Sequence, residues 1–136
     1  MNHVFADTSF WIALLSPKDD LHALAVEVVA TLGDAQVVTS EMVLAELLND
    51  FAGRGRALRT AAWSLVESLR SNRQTTIVPQ TSLQFQAALG LYGRREDKSW
   101  GFTDMASFLI MKTQGINDAL TYDQHFQQMG FRALLR

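Results

Sequence analysis

Short apolar runs alternate along this chain with longer segments in which apolar residues recur at helical spacing. The short runs predict buried strands at residues 4–6, 37–39, 76–78, 117–121 and 131–134. The helical pattern, with its caps and stops, predicts helices over residues 8–15, 21–32, 40–51, 58–69, 83–92, 104–113 and 123–129. Strands separated by helices pair in parallel through crossover connections. We therefore expect a three-layer α/β/α sandwich around a mostly parallel sheet of four to five strands, in one domain over residues 1–136.

Composition narrows the classes of protein that fit this pattern. The chain has 136 residues, of which 48% are hydrophobic, no cysteine and a formal net charge of −2. The lack of cysteine excludes a disulfide framework and thiolate metal sites. No signal peptide and no apolar stretch of about 20 residues are evident, so we expect a cytoplasmic protein without a membrane segment. The net charge gives no overall basic surface for nucleic acid, although arginines cluster between residues 54 and 73.

Four carboxylates stand beside the residues that are expected to build the core. Asp7 and Asp123 each follow a predicted strand, Asp104 opens a predicted helix, and Glu46 lies inside an apolar helix. In open α/β sheets, ligands bind outside the carboxyl ends of the strands. Acids that converge there repel one another and are costly to bury unless a cation compensates them. The pattern predicts a site for a hard divalent cation, Mg²⁺ or Mn²⁺.

Hydroxyl groups accompany three of these acids. Ser9 follows Asp7 by two residues, Thr103 directly precedes Asp104, and Thr121 precedes Asp123 by two residues. Such groups commonly orient metal-binding carboxylates through hydrogen bonds. Thr103 is also predicted to cap the helix that begins at Asp104.

The residues alone leave a plainer interpretation open. Asp7, Asp104 and Asp123 are also well placed as helix caps or as acids of a first helical turn, where the helix dipole favours negative charge. Capping does not explain Glu46, but a glutamate inside a helix is usually a solvated side chain.

Four sequence blocks, taken in order, resemble PIN-domain ribonucleases, and in length the compact bacterial toxins of the VapC type. The blocks are DTSFW at residues 7–11, EMVLAELL at 41–48, DKSWGFTDMASF at 97–108 and LTYDQHF at 120–126. The resemblance implies that the catalytic, Mg²⁺-binding acids are Asp7, Glu46, Asp104 and Asp123. It further implies endonucleolytic cleavage of RNA by metal-activated water, inhibition by an antitoxin protein that obstructs the acidic pocket, and a homodimer. Trp63 and Val66 lie off the apolar stripe of their helix and are candidates for the dimer face.

Two other functions fit parts of the pattern. A metal-dependent phosphatase of doubly wound fold also begins with an aspartate after its first strand. Such an enzyme usually has a second aspartate where this chain has Ser9, and a lysine for which the sequence offers no clear candidate. A non-catalytic module would use the acidic pocket only to dock a basic segment of a partner protein. Mg²⁺-dependent cleavage of RNA separates both from a nuclease.

Several further residues have two interpretations each. Asp97 is either a peripheral ligand or a solvated loop acid, and no role is assigned to Asp118. His125 is expected to contact substrate or to pack its helix. The tryptophans are more often core or interface residues than platforms for bases, and Trp100 is the best stacking candidate among them. The arginines of residues 53–56 either grip RNA phosphates or belong to a flexible connection.

Overall fold

The computed structural model describes residues 2–136, and its five strands form one sheet. In chain order the strands are β1 (His3–Ala6), β2 (Gln36–Ser40), β3 (Thr75–Val78), β4 (Asp118–Leu120) and β5 (Arg132–Ala133). They lie in the order β3-β2-β1-β4-β5, and every neighbouring pair is parallel. Val4, Phe5 and Ala6 are fully buried in the central strand. A strand covered on both faces needs a continuous apolar run of this kind.

Seven helices complete the part of the chain that the structure describes and supply the parallel crossovers. They are α1 (Thr8–Leu15), α2 (His22–Thr31), α3 (Glu41–Phe51), α4 (Arg56–Ser71), α5 (Ser82–Arg94), α6 (Phe102–Gln114) and α7 (Gln124–Gln128). The predicted three-layer α/β/α fold is confirmed, with a wholly parallel sheet. None of the helices in residues 2–136 has the length and apolar character that crossing a membrane requires.

The strand order creates a crevice at one edge of the sheet. The chain runs outward from β1 to β2 and β3, and then returns to place β4 on the opposite side of β1. Ligands in open parallel sheets bind at such a switch point, outside the carboxyl ends of the strands. The backbone N–H of Asp7 donates to the carbonyl of Leu120 at 3.1 Å, so the ends of β1 and β4 are joined there.

The start of α6 differs from the sequence prediction. Gly101 is the N-cap, and its backbone N–H donates to the Asp104 carboxylate at 3.2 Å. Asp104 is therefore the third residue of the helix, where an acidic side chain can reach back to the cap. The prediction that Thr103 caps this helix is wrong, because Thr103 lies within its first turn.

An aromatic cluster fixes α6 against α7. Phe108 of α6 is fully buried and lies edge-on to Phe126 and to Trp100, with ring centroids 4.9 and 5.2 Å apart. The Trp100 indole N–H donates to the Gln128 side chain at 2.8 Å. Trp100 is only 3% exposed, so it is a core residue, as tryptophans more often are, and its ring is not available to stack on a base. Trp100 instead connects α6, which carries Asp104, to α7, which follows Asp123.

Candidate metal centre

Asp7 lies at the carboxyl end of β1, in the N-cap position of α1, but its side chain does not cap that helix. The carboxylate instead accepts a hydrogen bond from the Thr121 hydroxyl at 2.9 Å, and the Ser9 hydroxyl lies 3.5 Å from the same oxygen. Asp7 is only 4% exposed. Asp7 is therefore a buried acid that does not cap its helix and is held by hydroxyl groups, which is the position expected of a metal ligand.

The surroundings of Asp7 disfavour its charged form. Burial and, next, the Asp104 carboxylate raise the pKa of Asp7, with a smaller contribution from Glu46, to about 7. Hydrogen bonds from the Thr8 backbone and the Thr121 hydroxyl act in the opposite direction without cancelling this effect. A bound cation would relieve both causes, since it supplies the missing opposite charge.

Asp104 projects from the first turn of α6 into the same crevice. One of its oxygens, Oδ2, accepts from the Gly101 backbone and lies 3.1 Å from Nδ1 of His125. Burial, and then the nearby Asp123 carboxylate, raise the pKa of Asp104, although the His125 hydrogen bond opposes the rise. Two carboxylates therefore repel each other here while an imidazole lies against both.

Asp123 is the N-cap of α7. Its Oδ1 accepts from the His125 backbone N–H at 2.9 Å and lies 3.3 Å from the ring Nδ1 of the same residue. Ligand atoms of Asp104, Asp123 and His125 all lie within 4.8 Å of one another. The sequence signalled His125 only by its place two residues after Asp123, which brings it into the first helical turn beside that acid.

Two of the three predicted hydroxyls connect these acids. Thr121 donates to Asp7 and accepts from the Asp123 backbone N–H at 3.0 Å. The Ser9 hydroxyl lies 3.2 Å from the Thr121 hydroxyl. Within residues 2–136 the Thr103 hydroxyl makes no hydrogen bond with a site acid; its backbone carbonyl accepts from Ser107.

Glu46 stands apart from the compact group. It is an exposed residue on α3, a helix that packs against both α1 and α6. Its carboxylate is near enough to raise the pKa of Asp7 but does not belong to the group of close ligand atoms. The structure therefore brings Asp104 and Asp123 together directly, links Asp7 to them, and leaves Glu46 at the rim.

Acids outside the crevice have local partners. Asp97 pairs with Arg95 at 3.1 Å on an exposed loop, and Asp118 pairs with Arg132 at 2.8 Å between β4 and β5. Arg54, in the predicted break before α4, pairs with Asp50. These contacts are ordinary surface ion pairs.

The donor set of the crevice fits a hard divalent cation. Asp104 Oδ1 and Asp123 Oδ2 make no hydrogen bond within the part of the chain that the structure describes, whereas the other oxygen of each acid is engaged. Free carboxylate oxygens are the ligands that Mg²⁺ and Mn²⁺ prefer. The residues present therefore suit the predicted metal.

The wholly parallel sheet and the acidic crevice at its switch point define an α/β protein with a candidate metal centre, and comparison with known proteins identifies the family. The family model of the PIN domain matches residues 4–132. The chain belongs to the PIN-domain family.

Among individual relatives, the chain resembles VapC20 of Mycobacterium tuberculosis, named a 23S rRNA-specific endonuclease. It is 31% identical to that protein in two strains over 131 residues, which cover 94% of this chain and 95% of the relative. A crystal structure of VapC20, described as a sarcin-ricin loop cleaving toxin, superposes with a TM-score of 0.83 at 29% identity. It covers 94% of this chain and 95% of that one. The predicted resemblance to VapC-type toxins is confirmed.

The raised pKa of Asp7 predicts how the stability of the metal-free protein depends on pH. The group titrates near 3.8 when unfolded and near 7 when folded, so the native state binds more protons between these values. In EDTA, the free energy of unfolding should therefore fall as pH rises from about 4 to 7, by up to about 4 kcal/mol. Denaturant unfolding measured across this range tests the slope.

Asp7→Asn should remove this fall and stabilise the metal-free protein at pH 7.5, because the amide oxygen can still accept from Thr121. Asp34→Asn, at an exposed acid, is the matched control and should keep the wild-type slope. An unchanged slope in Asp7→Asn would show that burial of this carboxylate does not control the pH dependence.

Proposed function

We propose that this protein is a metal-dependent endoribonuclease and the toxin of a toxin–antitoxin pair, acting in the cytoplasm as a single nuclease domain over residues 1–136. One observation carries the proposal: Asp7, Asp104 and Asp123 converge at the switch point of a PIN-domain sheet. Each comes from a different part of the chain, and a bound cation would relieve their mutual repulsion. Membership of the PIN-domain family and the likeness to VapC20 support the same function.

Four acids contribute to the proposed metal site. Asp7, Asp104 and Asp123 hold Mg²⁺ or Mn²⁺, and Glu46 completes the set from the rim on α3. Ser9 and Thr121 keep the Asp7 carboxylate in place. A divalent cation in this crevice supplies activation of water and neutralises charge on the phosphate. Water then attacks phosphorus and the bond to the 3′ oxygen breaks, which leaves a 3′-hydroxyl and a 5′-phosphate.

RNA reaches the acids past Tyr122 and Arg136. The Tyr122 ring is 46% exposed and directly precedes Asp123. The Arg136 guanidinium lies 4.6 Å from the centre of that ring and donates to the Tyr122 carbonyl at 2.8 Å. An aromatic face and a guanidinium are the groups that hold a base and a phosphate. The positive charge of Arg136 offsets the acidic charge where an anionic substrate must approach.

The name of the relative suggests the first substrate to test. VapC20 is described as cleaving the sarcin-ricin loop of 23S rRNA. We propose a structured RNA loop of this kind as the substrate of the present chain, since proteins read such RNA by shape and by unstacked bases. Intact ribosomes are therefore the first substrate to assay.

A cognate antitoxin is the second partner. The crevice concentrates negative charge around Asp7, Asp104 and Asp123, and a basic side chain inserted there would neutralise the acids as a metal does. An antitoxin segment with an arginine or lysine at this position would exclude both metal and RNA. The acidic crevice thus accounts for inhibition without a separate regulatory site.

The structure gives the phosphatase alternative no support. Ser9 occupies the place of the second aspartate, and its hydroxyl is used in bonding Asp7 and Thr121. The ammonium groups of Lys98 and Lys112 lie over the rings of Trp100 and Phe131, 5.7 and 5.6 Å from the ring centres. The non-catalytic alternative is decided by RNA cleavage itself.

We also propose a homodimer, for which two exposed apolar surfaces compete. The predicted face on α4 includes Trp63, which is 61% exposed, and Val66, which is half-buried. A second surface, the α5 face, exposes three large apolar side chains at helical spacing: Phe85, Leu89 and Tyr92. We favour the α5 face, because contiguous apolar surface of this kind marks interaction sites more strongly than a single exposed tryptophan.

Asp7→Asn and Asp104→Asn should each lower the rate of RNA cleavage by about 10³-fold, since each removes a charged ligand and with it several kcal/mol of transition-state stabilisation. Cleavage is followed on ribosomes and on isolated RNA, with mapping of the 5′-phosphate, in Mg²⁺ and in EDTA. Asp97→Asn is the matched control, because Asp97 precedes the same helix but pairs with Arg95. Cleavage that survives in EDTA would refute metal dependence.

The two candidate dimer faces can be separated by light scattering coupled to size exclusion. Phe85→Asp should convert the protein to a monomer at micromolar concentration, because a charge on the α5 face would be buried without a partner. Trp63→Asp should leave the dimer intact if α5 forms the interface. The opposite result would assign the interface to α4, and a monomeric wild type would overturn the homodimer.

A further inference from the structure

Within residues 2–136, His125 is the one residue whose side chain lies within ion-pair distance of two site carboxylates at once. Its ring Nδ1 lies 3.1 Å from Asp104 Oδ2 and 3.3 Å from Asp123 Oδ1. Its backbone N–H also donates to Asp123 Oδ1, at 2.9 Å. The two acids belong to different elements, so this imidazole joins the start of α6 to the start of α7.

These contacts sort the oxygens of both carboxylates into two kinds. The engaged oxygens are Asp104 Oδ2, which accepts from the Gly101 backbone and lies at hydrogen-bond distance from the His125 ring, and Asp123 Oδ1, which accepts from the His125 backbone N–H. The opposite oxygens make no hydrogen bond within residues 2–136. A carboxylate held by one oxygen presents the other in a fixed direction, which is how neighbouring groups orient metal ligands.

We propose that His125 is a positioning residue, which joins Asp104 to Asp123 through its ring Nδ1–H and its backbone N–H and holds their free oxygens toward the bound cation. This inference rests on the proposed metal-dependent function. The proton must lie on Nδ1, because both neighbouring atoms are carboxylate oxygens and accept hydrogen bonds only. The neutral ring is sufficient, so the role requires no change of charge on His125.

The fold holds the ring from two sides. Phe126, the next residue, is fully buried against Phe108, which anchors α7 to α6. Gln128, on the same short helix, accepts from the Trp100 indole at 2.8 Å. With α7 fixed in this way, the His125 ring has little freedom to leave the two acids. The contact therefore survives as part of the packed structure.

His125 could instead bind the cation itself, since its Nδ1 belongs to the compact group with the two acids. Ligation would require a deprotonated Nδ1, whose lone pair would then face two carboxylate oxygens at hydrogen-bond distance. A donated N–H suits those neighbours and a lone pair does not. The positioning role is therefore the better reading of the geometry.

The test measures binding of Mn²⁺ to the full chain without RNA, by electron paramagnetic resonance or calorimetry, beside Mg²⁺ titration of cleavage. His125→Ala should weaken Mn²⁺ binding by about tenfold, the effect typical of losing a group that orients a ligand. His125→Asn should recover most of the affinity, because its amide N–H replaces Nδ1–H. Cleavage at saturating Mg²⁺ should fall less than metal affinity does.

Two further variants guard against a purely structural effect. His125→Gln keeps a polar side chain but carries its N–H too far out to bridge both acids, so it should bind Mn²⁺ as weakly as His125→Ala. His22→Ala is the matched control, because the His22 Nδ1 contacts the Ala13 carbonyl in another part of the fold. It should bind Mn²⁺ like the wild type.

The outcomes separate this inference from the function on which it rests. Wild-type affinity in His125→Ala would overturn the positioning role while leaving the metal site intact. Equal losses in His125→Ala and His125→Asn would overturn it in favour of direct ligation. Failure of the wild type itself to bind Mn²⁺ would overturn both the metal site and the role of His125.

Discussion

The repulsion between carboxylates gathered at one edge of the sheet is the constraint around which this protein is organised. Asp7 is buried, and the carboxylates of Asp104 and Glu46 are near enough to raise its pKa. The Asp123 carboxylate in turn raises the pKa of Asp104. Such an arrangement costs stability in the absence of a cation. A fold that keeps these acids together must offset the cost through contacts made elsewhere.

Those contacts form two layers behind the crevice. The first is polar: Thr121 bonds Asp7 and the Asp123 backbone, and His125 bonds Asp104 and Asp123. The second is apolar, where Phe108 packs against the helix that follows Asp123. The bonds donated to carboxylate oxygens stabilise the charged form of the acids, and the aromatic packing holds α6 against α7 despite the remaining repulsion.

Features that depend on the periodicity of apolar residues along the chain could be predicted from the sequence. Apolar runs of strand length identified the sheet, and the place of Asp7 and Asp123 after such runs put them at its carboxyl edge. Contacts between distant residues carried no such signal. A tryptophan on a loop before Asp104 could either stack on a base or pack in the core. Trp100 is buried against Phe108, and only the three-dimensional packing decides between these roles. His125 was likewise visible as a neighbour of Asp123, while its bond to Asp104 depends on the angle at which α6 meets α7.

The pKa of Asp7 connects the cost of the site to its use. A carboxyl group that titrates near 7 binds a proton readily around neutral pH, and that proton relieves the repulsion as a metal would. Metal and proton therefore compete for Asp7, and metal binding must release the proton. Under the proposed function, a basic side chain of an antitoxin would enter the same competition, since it would neutralise the acids without activating water. The acids of the crevice require a positive charge to compensate them. Under the proposed function, the kind of cation that supplies this charge determines whether the protein cleaves RNA.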